Sequence, residues 1–520
     1  MELSRNKRIF LNIAATYGRS LFGIVCALIT GGWTYIALGE VDFGLYGVVG
    51  GLTSFVGFFN GILAGSISRF YAYSVGEAQT SVDDGLKKCQ IWFNTAVTIH
   101  TVVPVILLII GYPIGVYAVE HWLTIPPDRI QACIWIWRFA CITCFVGMIS
   151  VPFNAMYNAK QYIAELTIYS FCTTLVNLIF VAYMHYHPGN WFVTFALFQC
   201  LLGVLPQVII SVRAYMIFPE CRFITQHMFS KEHLKQVFSF STYQGIGVFC
   251  GELKTQGMPI LTNIYFGPAM NSAMGISSSI IGRTQSLAGS MTGVFIPAIT
   301  NAYGAKDYGL MRKMALGLSK IGTMQILFFA LPIMLELPEI LKLWLKNPPE
   351  YTYGLCMLAL ACTCVDSVTR GQIIAIDASG KIKACYIFSS AISIFTLPLA
   401  WGWVALGGNV YGMQSILLFM IGLDTIVRVF FARIHAGMSA AYWIKFCLIP
   451  LSIVTVITCA VGYIPHLFMA TGISRIGVTL IFTEIAFWPL TWFVLLNQDE
   501  RAFILRQINK IRGKLAGAPA

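Results

Sequence analysis

Fourteen apolar runs, each long enough to cross a hydrocarbon core of about 30 Å, leave this chain few ways to fold. They cover roughly residues 9–38, 46–75, 89–118, 131–156, 163–186, 191–216, 236–264, 268–300, 314–336, 352–377, 384–406, 412–434, 443–465 and 475–497. Backbone amides in lipid find no water, so each run must satisfy its own donors and acceptors, which selects the α-helix. Only 11% of the 520 residues are charged, against 57% hydrophobic, and the mean hydropathy is +0.73. A soluble domain carries about 25% charged residues. The chain therefore reads as an all-α polytopic membrane protein with about 14 transmembrane helices. The basic head at residues 1–8 leads into a long apolar run without a small-residue cleavage site, so it reads as a first span rather than a removable signal.

Charge sets the orientation. With the N-terminus cytoplasmic, 25 Lys and Arg fall in segments on that side and four, Arg129, Lys342, Lys346 and Arg475, on the other. Such an asymmetry is the positive-inside signal. It places both termini in the cytoplasm and accounts for most of the net charge of +12 without a nucleic-acid partner, because basic loops face anionic membrane lipids. Connections are short, which leaves no room for a soluble catalytic or nucleotide-binding domain. The phosphate-binding pattern Gly-x-x-x-x-Gly-Lys-Ser/Thr is missing from the sequence, so transport driven by this chain's own ATP hydrolysis is excluded. The 15 cysteines sit almost entirely in apolar runs. Cys141/Cys144 and Cys362/Cys364 lack a histidine cluster and read as packing residues, so no metal site is expected.

The runs repeat. Shifting the chain by 228 positions superposes Gly39 on Gly267, Gly47 on Gly275, Gly61 on Gly289, Gly65 on Gly293 and Gly76 on Gly304. Gly61/Gly65 and Gly289/Gly293 each leave two missing side chains on one helix face, where a neighbour can approach closely. Six runs precede the polar stretch that begins at Pro219, so both copies enter from the same side and the repeat is parallel. Ile125-Pro-Pro-Asp128 and Asn347-Pro-Pro-Glu350 form a second matched pair on the outer side. The predicted organisation is an N-terminal six-helix bundle at 1–218, a cytoplasmic linker helix at 219–235 opened by Ser230, and a second six-helix bundle at 236–434. Two further helices follow at 435–497, then a basic amphipathic tail at 498–520 lying on the cytoplasmic leaflet.

Charges inside the spans cost about 2.5–3.5 kcal/mol each on insertion scales, so each is a functional candidate. Asp366/Arg370 and Asp424/Arg428 are acid-then-base pairs four apart, where side chains meet on one helix face. Arg19, Lys254 and Arg283 have no such neighbour. Arg19 belongs to a small and polar stripe with Asn12, Thr16, Gly23, Thr30 and Thr34. Arg283 shares a stripe with Ser272, Ser279, Ser286 and Ser290, and Lys254 a face with Ser239, Tyr243 and Gly247. These faces are expected to converge on a water-filled, cationic cavity suited to an anionic group, since arginine forks match phosphate oxygens and lysine adds a point charge. Arg138 and Arg370 are further candidate substrate contacts. Glu484 stands alone in the last run. The repeat does not extend to the cations: Arg283 corresponds to Phe55, Lys254 to Cys26 and Arg19 to Gly247.

The run Leu38-Gly-Glu-Val-Asp-Phe-Gly-Leu-Tyr-Gly-Val-Val-Gly50 resembles the first outer loop and second helix of polysaccharide flippases. Ile340-Leu-Lys-Leu-Trp-Leu-Lys-Asn-Pro-Pro-Glu-Tyr351 and Ser379-Gly-Lys-Ile-Lys383 are similar to later signatures of the same group. These are the O-antigen and capsule-type flippases of the multidrug/oligosaccharidyl-lipid/polysaccharide exporter superfamily. The resemblance implies two six-helix bundles, two extra C-terminal helices and alternating access. It implies a bacterial inner-membrane protein that moves undecaprenyl-pyrophosphate-linked oligosaccharide outward, with Arg19 and Arg283 facing the central cavity. Residues 443–497 would offer an apolar surface to the lipid tail, and polysaccharide polymerase machinery would be a partner. No cofactor is implied beyond an ion gradient or membrane potential, for which Glu252 and Asp366 are the coupling candidates. The alternative is a cation-coupled multidrug exporter of the same superfamily, which would place acids where Arg19 stands. A membrane glycosyltransferase or polymerase would need a large outer loop or a carboxylate-rich site, so a transporter rather than an enzyme is expected.

Overall fold

The computed structural model describes residues 5–53, 63, 67, 71, 82–160, 162–228, 230–498, 500–502 and 505. Side chains are described for these apart from 5–21, 24, 82–85, 163–164, 227, 231, 235–248, 283, 286–294 and 297–298. Every regular element among them is helical. The helices are α1 (Arg5–Gly51), α2 (Val82–Tyr117), α3 (Ile130–Ile149), α4 (Val151–Ala159), α5 (Ile163–Tyr186) and α6 (Phe192–Ile217). Then come α7 (Lys231–Gly304), α8 (Tyr308–Leu335), α9 (Leu337–Leu345), α10 (Thr352–Ser367), α11 (Arg370–Ser379), α12 (Lys383–Ala405) and α13 (Val410–Ala436). Residues Ala440–Trp443 lead through a π turn into α14 (Ile449–Tyr463), and α15 (Ile473–Leu490) follows. Among the described residues nine helical segments are long and apolar enough to cross a bilayer. Counting α10 and α11 together, which meet at 41°, makes ten. The protein is an all-α, multi-pass membrane protein.

α1 covers the first predicted span and enters the second, α7 runs through the seventh and eighth, and each is kinked at a repeat glycine. Gly39 has φ 78°, ψ 171°, and Gly267 has φ 81°, ψ −179°. A side chain at these φ values would crowd the backbone, so only glycine takes them without strain. The sequence repeat is thus a repeat of backbone conformation. Just beyond the kinks the two copies touch. A Cβ on Gly44 would lie 2.0 Å from the carbonyl oxygen of Pro268 and 3.0 Å from the amide nitrogen of Ser272. Ser272 is the 228-shifted counterpart of Gly44, so here a residue meets its own repeat equivalent. Gly61, Gly65, Gly289 and Gly293 lie outside the residues whose side-chain surroundings are described.

The chain forms two compact units, Met1–Ile276 with Ser393–Val410, and Ser277–Ile392 with Tyr411–Ala520. In the first, α1 packs on α5, and α3 lies against α2 and α6. One apolar cluster joins Tyr71, Phe93, Phe153 and Met156, and another joins Leu45, Val49, Ile136, Trp137 and Phe192. Residues 219–228 lie along α2, held by side chains that imitate backbone pairing. The buried Asn94 amide donates to the Arg222 carbonyl at 2.9 Å and accepts from the Ile224 amide at 2.9 Å. Thr98 donates to the Met228 carbonyl at 2.6 Å, and Gln90 to that of Pro219 at 3.1 Å. Ser230 stands directly before the first residue of α7, with Oγ 2.6 Å from His233 Nδ1.

In the second unit α8 is central and contacts α10, α11, α14 and α15. The α11 crossing is close because of Gly371, where a Cβ would lie 1.8 Å from the Ala315 carbonyl oxygen. Both ends of the α14–α15 hairpin are tied to α8. Lys320, 1% exposed, donates from Nζ to the Leu495 carbonyl and to Glu500. Glu500 and Asn497 cap one another, backbone amide to side-chain oxygen, at 2.8 Å in both directions. At the other end Arg475 grips the buried Glu336 carboxylate through two nitrogens, each at 3.0 Å.

Candidate functional site

The charged side chains among the described residues separate into those with partners and those without. Arg138 is partnered within the first unit: Nε donates to the Tyr112 hydroxyl at 3.1 Å, and the guanidinium lies 4.6 Å from the Trp135 ring centroid. That stacking on an aromatic face suits a planar cation better than an ammonium. Lys160 pairs with the buried Glu220 at 2.5 Å, and Arg129 with Asp42 at 2.8 Å. Arg213 and Glu165 form a further pair.

Lys254 differs. It is half-buried on the stretch of α7 before the Gly267 kink, and no ion pair to it forms among the described residues. Glu252, two residues earlier and also half-buried, is equally without one. Residues two apart on a helix point about 200° around the axis from each other, so the pair does not neutralise itself. Cys26, the repeat counterpart of Lys254, is 3% exposed. Arg19 lies on α1 before its kink and Arg283 on α7 after its kink; their side chains lie outside the described residues. On the stripe assigned to Arg19, Thr30 and Thr34 are buried, and on the Arg283 stripe Ser272 is fully buried.

Asp366 and Arg370 enter a larger network in the second unit. Arg428 on α13 reaches Asp366 at 2.8 Å and Asp424 at 2.5 Å. Arg370 is 3.8 Å from Asp366, and Ser389 on α12 donates to Asp424 at 2.5 Å. The two sequence-local pairs are therefore joined by one arginine into a set with as many acids as bases, which ties α10, α11, α12 and α13. Among the described residues the buried charges Asp42, Glu220, Lys320 and Glu336 were not site candidates in the sequence, nor was Arg475, which pairs with Glu336. Lys320 carried a readable signal, standing twelve residues into a helix whose neighbours are apolar.

An apolar cavity of about 460 Å³ opens in the second unit between α8, α10 and α14. Its walls include Leu327, Leu331, Met357, Val365, Leu451 and Val456, with the hydroxyls of Thr323, Ser452 and Thr455 among them. Such a space accepts hydrocarbon and offers no charge to hold a polar headgroup.

No family model and no curated protein matches the chain. Solved structures do. The chain is similar to the lipid II flippase MurJ in an inward closed conformation, with TM-score 0.66 and 9% identity over 93% of this chain and 98% of that one. It is similar to an inward-facing multidrug resistance MATE family transporter of the MOP superfamily, with TM-score 0.56 and 13% identity over 81% and 94%. The MATE multidrug transporter DinF-BH matches with TM-score 0.54 and 16% identity over 81% and 97%. The chain has the fold of MOP-superfamily transporters. At these identities the likeness establishes architecture, and the substrate has to be argued from the residues.

Proposed function

We propose that this protein is a lipid-linked oligosaccharide flippase. It translocates an undecaprenyl-pyrophosphate-linked glycan across the bacterial inner membrane by alternating access, with both termini cytoplasmic. The observation that carries this reading is Lys254, a half-buried cation inside the seventh predicted span, without a carboxylate partner among the described residues. An uncompensated charge in a membrane helix is expensive and is retained where it binds something of opposite sign. Arg19 and Arg283, the other two cations that break the repeat, complete the proposed pyrophosphate or acidic-sugar site, with Arg370 and Arg138 as secondary contacts. The apolar cavity between α8, α10 and α14 supplies a place for part of the polyprenyl chain. Polysaccharide polymerase machinery is the proposed partner. Glu252 is the stronger of the two proposed coupling acids, because Asp366 is already held by Arg428.

The test is glycan export in cells expressing Arg19→Ala, Lys254→Ala or Arg283→Ala, with membrane insertion measured alongside. Each variant should insert normally and lower surface glycan at least tenfold. Wild-type export from all three sinks the cationic site. If the wild-type protein instead raises resistance to lipophilic cations and leaves surface glycan unchanged, the multidrug exporter replaces the flippase.

A further inference from the structure

α15 is fastened by ions at both ends and carries a single acid between them. At one end Arg475 and Thr479 donate to Glu336, at 3.0 and 2.7 Å, and His466 Nε2 lies 3.1 Å from the same carboxylate. At the other end Lys320 holds the Leu495 carbonyl at 3.2 Å and Glu500 at 3.1 Å. Glu484 is nine residues past Arg475 and eleven before Leu495, or roughly 13 and 17 Å along the axis at 1.5 Å per residue. Neither fastening can neutralise it.

The elements packed on α15 supply no other countercharge. α14 carries no Lys, Arg, Asp or Glu. On α8, besides Lys320, stand Arg312, bonded to the Tyr308 and Gly437 carbonyls, and Lys313 in the first turns. On α9, Glu339 and Lys342 pair with one another at 3.3 Å. Among the described residues no ion pair to Glu484 forms, and its Oε2 is buried without a hydrogen-bond partner. A carboxylate so placed would be an isolated charge in the hydrocarbon layer, whereas a carboxylic acid there is neutral.

We propose that Glu484 is a proton-binding site: it holds a proton in the conformation described here and exchanges it with water when α14 and α15 move during transport. This deepens the transport reading and rests on it for the second half of the claim. The first half is tested independently of substrate. Full-length protein in liposomes is titrated from acid to alkaline buffer by infrared difference spectroscopy. The carbonyl stretch of a protonated carboxyl should be present in wild type, lost in Glu484→Gln, and shifted in Glu484→Asp, which keeps an acid if the glutamine variant folds poorly. Spectra of wild type and both variants that coincide overturn the proposal. In flipping assays with the lipid-linked glycan, Glu484→Gln should lose stimulation by a proton gradient and keep flipping without one. Full gradient stimulation in that variant also overturns the proposal. A wild type that flips nothing overturns the flippase reading, and the infrared result then stands on its own.

Discussion

Gly39 and Gly267 hold nearly the same backbone conformation, with φ values of 78° and 81°, yet the residues around the two kinks diverge. Before the kink, the second copy has Lys254 where the first has Cys26. After it, the second has Arg283 where the first has Phe55. At the point of contact the first copy has Gly44 and the second Ser272. Backbone geometry was kept because a positive φ in mid-helix admits almost nothing but glycine. Side chains carry no such constraint, so one copy could gain cations without altering the scaffold. A duplicated frame with unduplicated charge is what a site for an asymmetric substrate requires.

The contact point should break first. In Gly44→Ala the new Cβ meets backbone, which cannot swing aside as a side chain would, and we expect a loss of about 3 kcal/mol. The mirror substitution Ser272→Ala removes a buried hydroxyl that has no partner among the described residues and should be neutral or slightly stabilising. Thermal unfolding in detergent measures both, and equal losses would mean that the contact is not asymmetric. Next come the kinks. Gly39→Ala and Gly267→Ala should each cost about 1–3 kcal/mol, the penalty for an L-residue at positive φ with extended ψ, a region essentially reserved for glycine. A marked difference between them would show that the two kinks, alike in backbone, are not alike in their surroundings.

The frame was legible in the sequence because its determinants are local. Apolar runs of span length announce helices, and the glycine repeat marked Gly39 and Gly267 as equivalent positions, but the sequence placed them between separate spans and the kinked continuous helices emerge only in the fold. The ion networks were not legible. Lys320 and Glu500 are 180 positions apart, and Glu336 and Arg475 are 139 apart, so no spacing rule connects them. Asp366/Arg370 and Asp424/Arg428 were visible as helix-local pairs, while the cross-helix bond from Arg428 to Asp366 spans 62 positions and emerges only in the fold. Lys254 stood out in both views, because what marks it is the lack of a neighbour.

The smallest effect concerns how the second copy begins. His233 corresponds to Arg5 under the same 228 shift, so a titratable ring stands in the first turn of α7 where α1 starts on a permanent cation. The ring lies edge-on to Trp92, 4.3 Å between centroids, beside Ser230. Burial holds its pKa below the ordinary 6.5, and Glu232 partly opposes the shift. The unfolded chain therefore takes up the proton before the folded one as pH falls. The contribution of the neutral ring is complete above about pH 6.5 and declines below it. His233→Gln removes the titration and leaves a polar group beside Ser230. The melting temperature of wild type relative to this variant should fall by on the order of one degree from about pH 7.5 to about 5.5. A gap that stays constant would mean the ring gains its proton as easily folded as unfolded, and the start of α7 would then be no more sensitive to pH than that of α1.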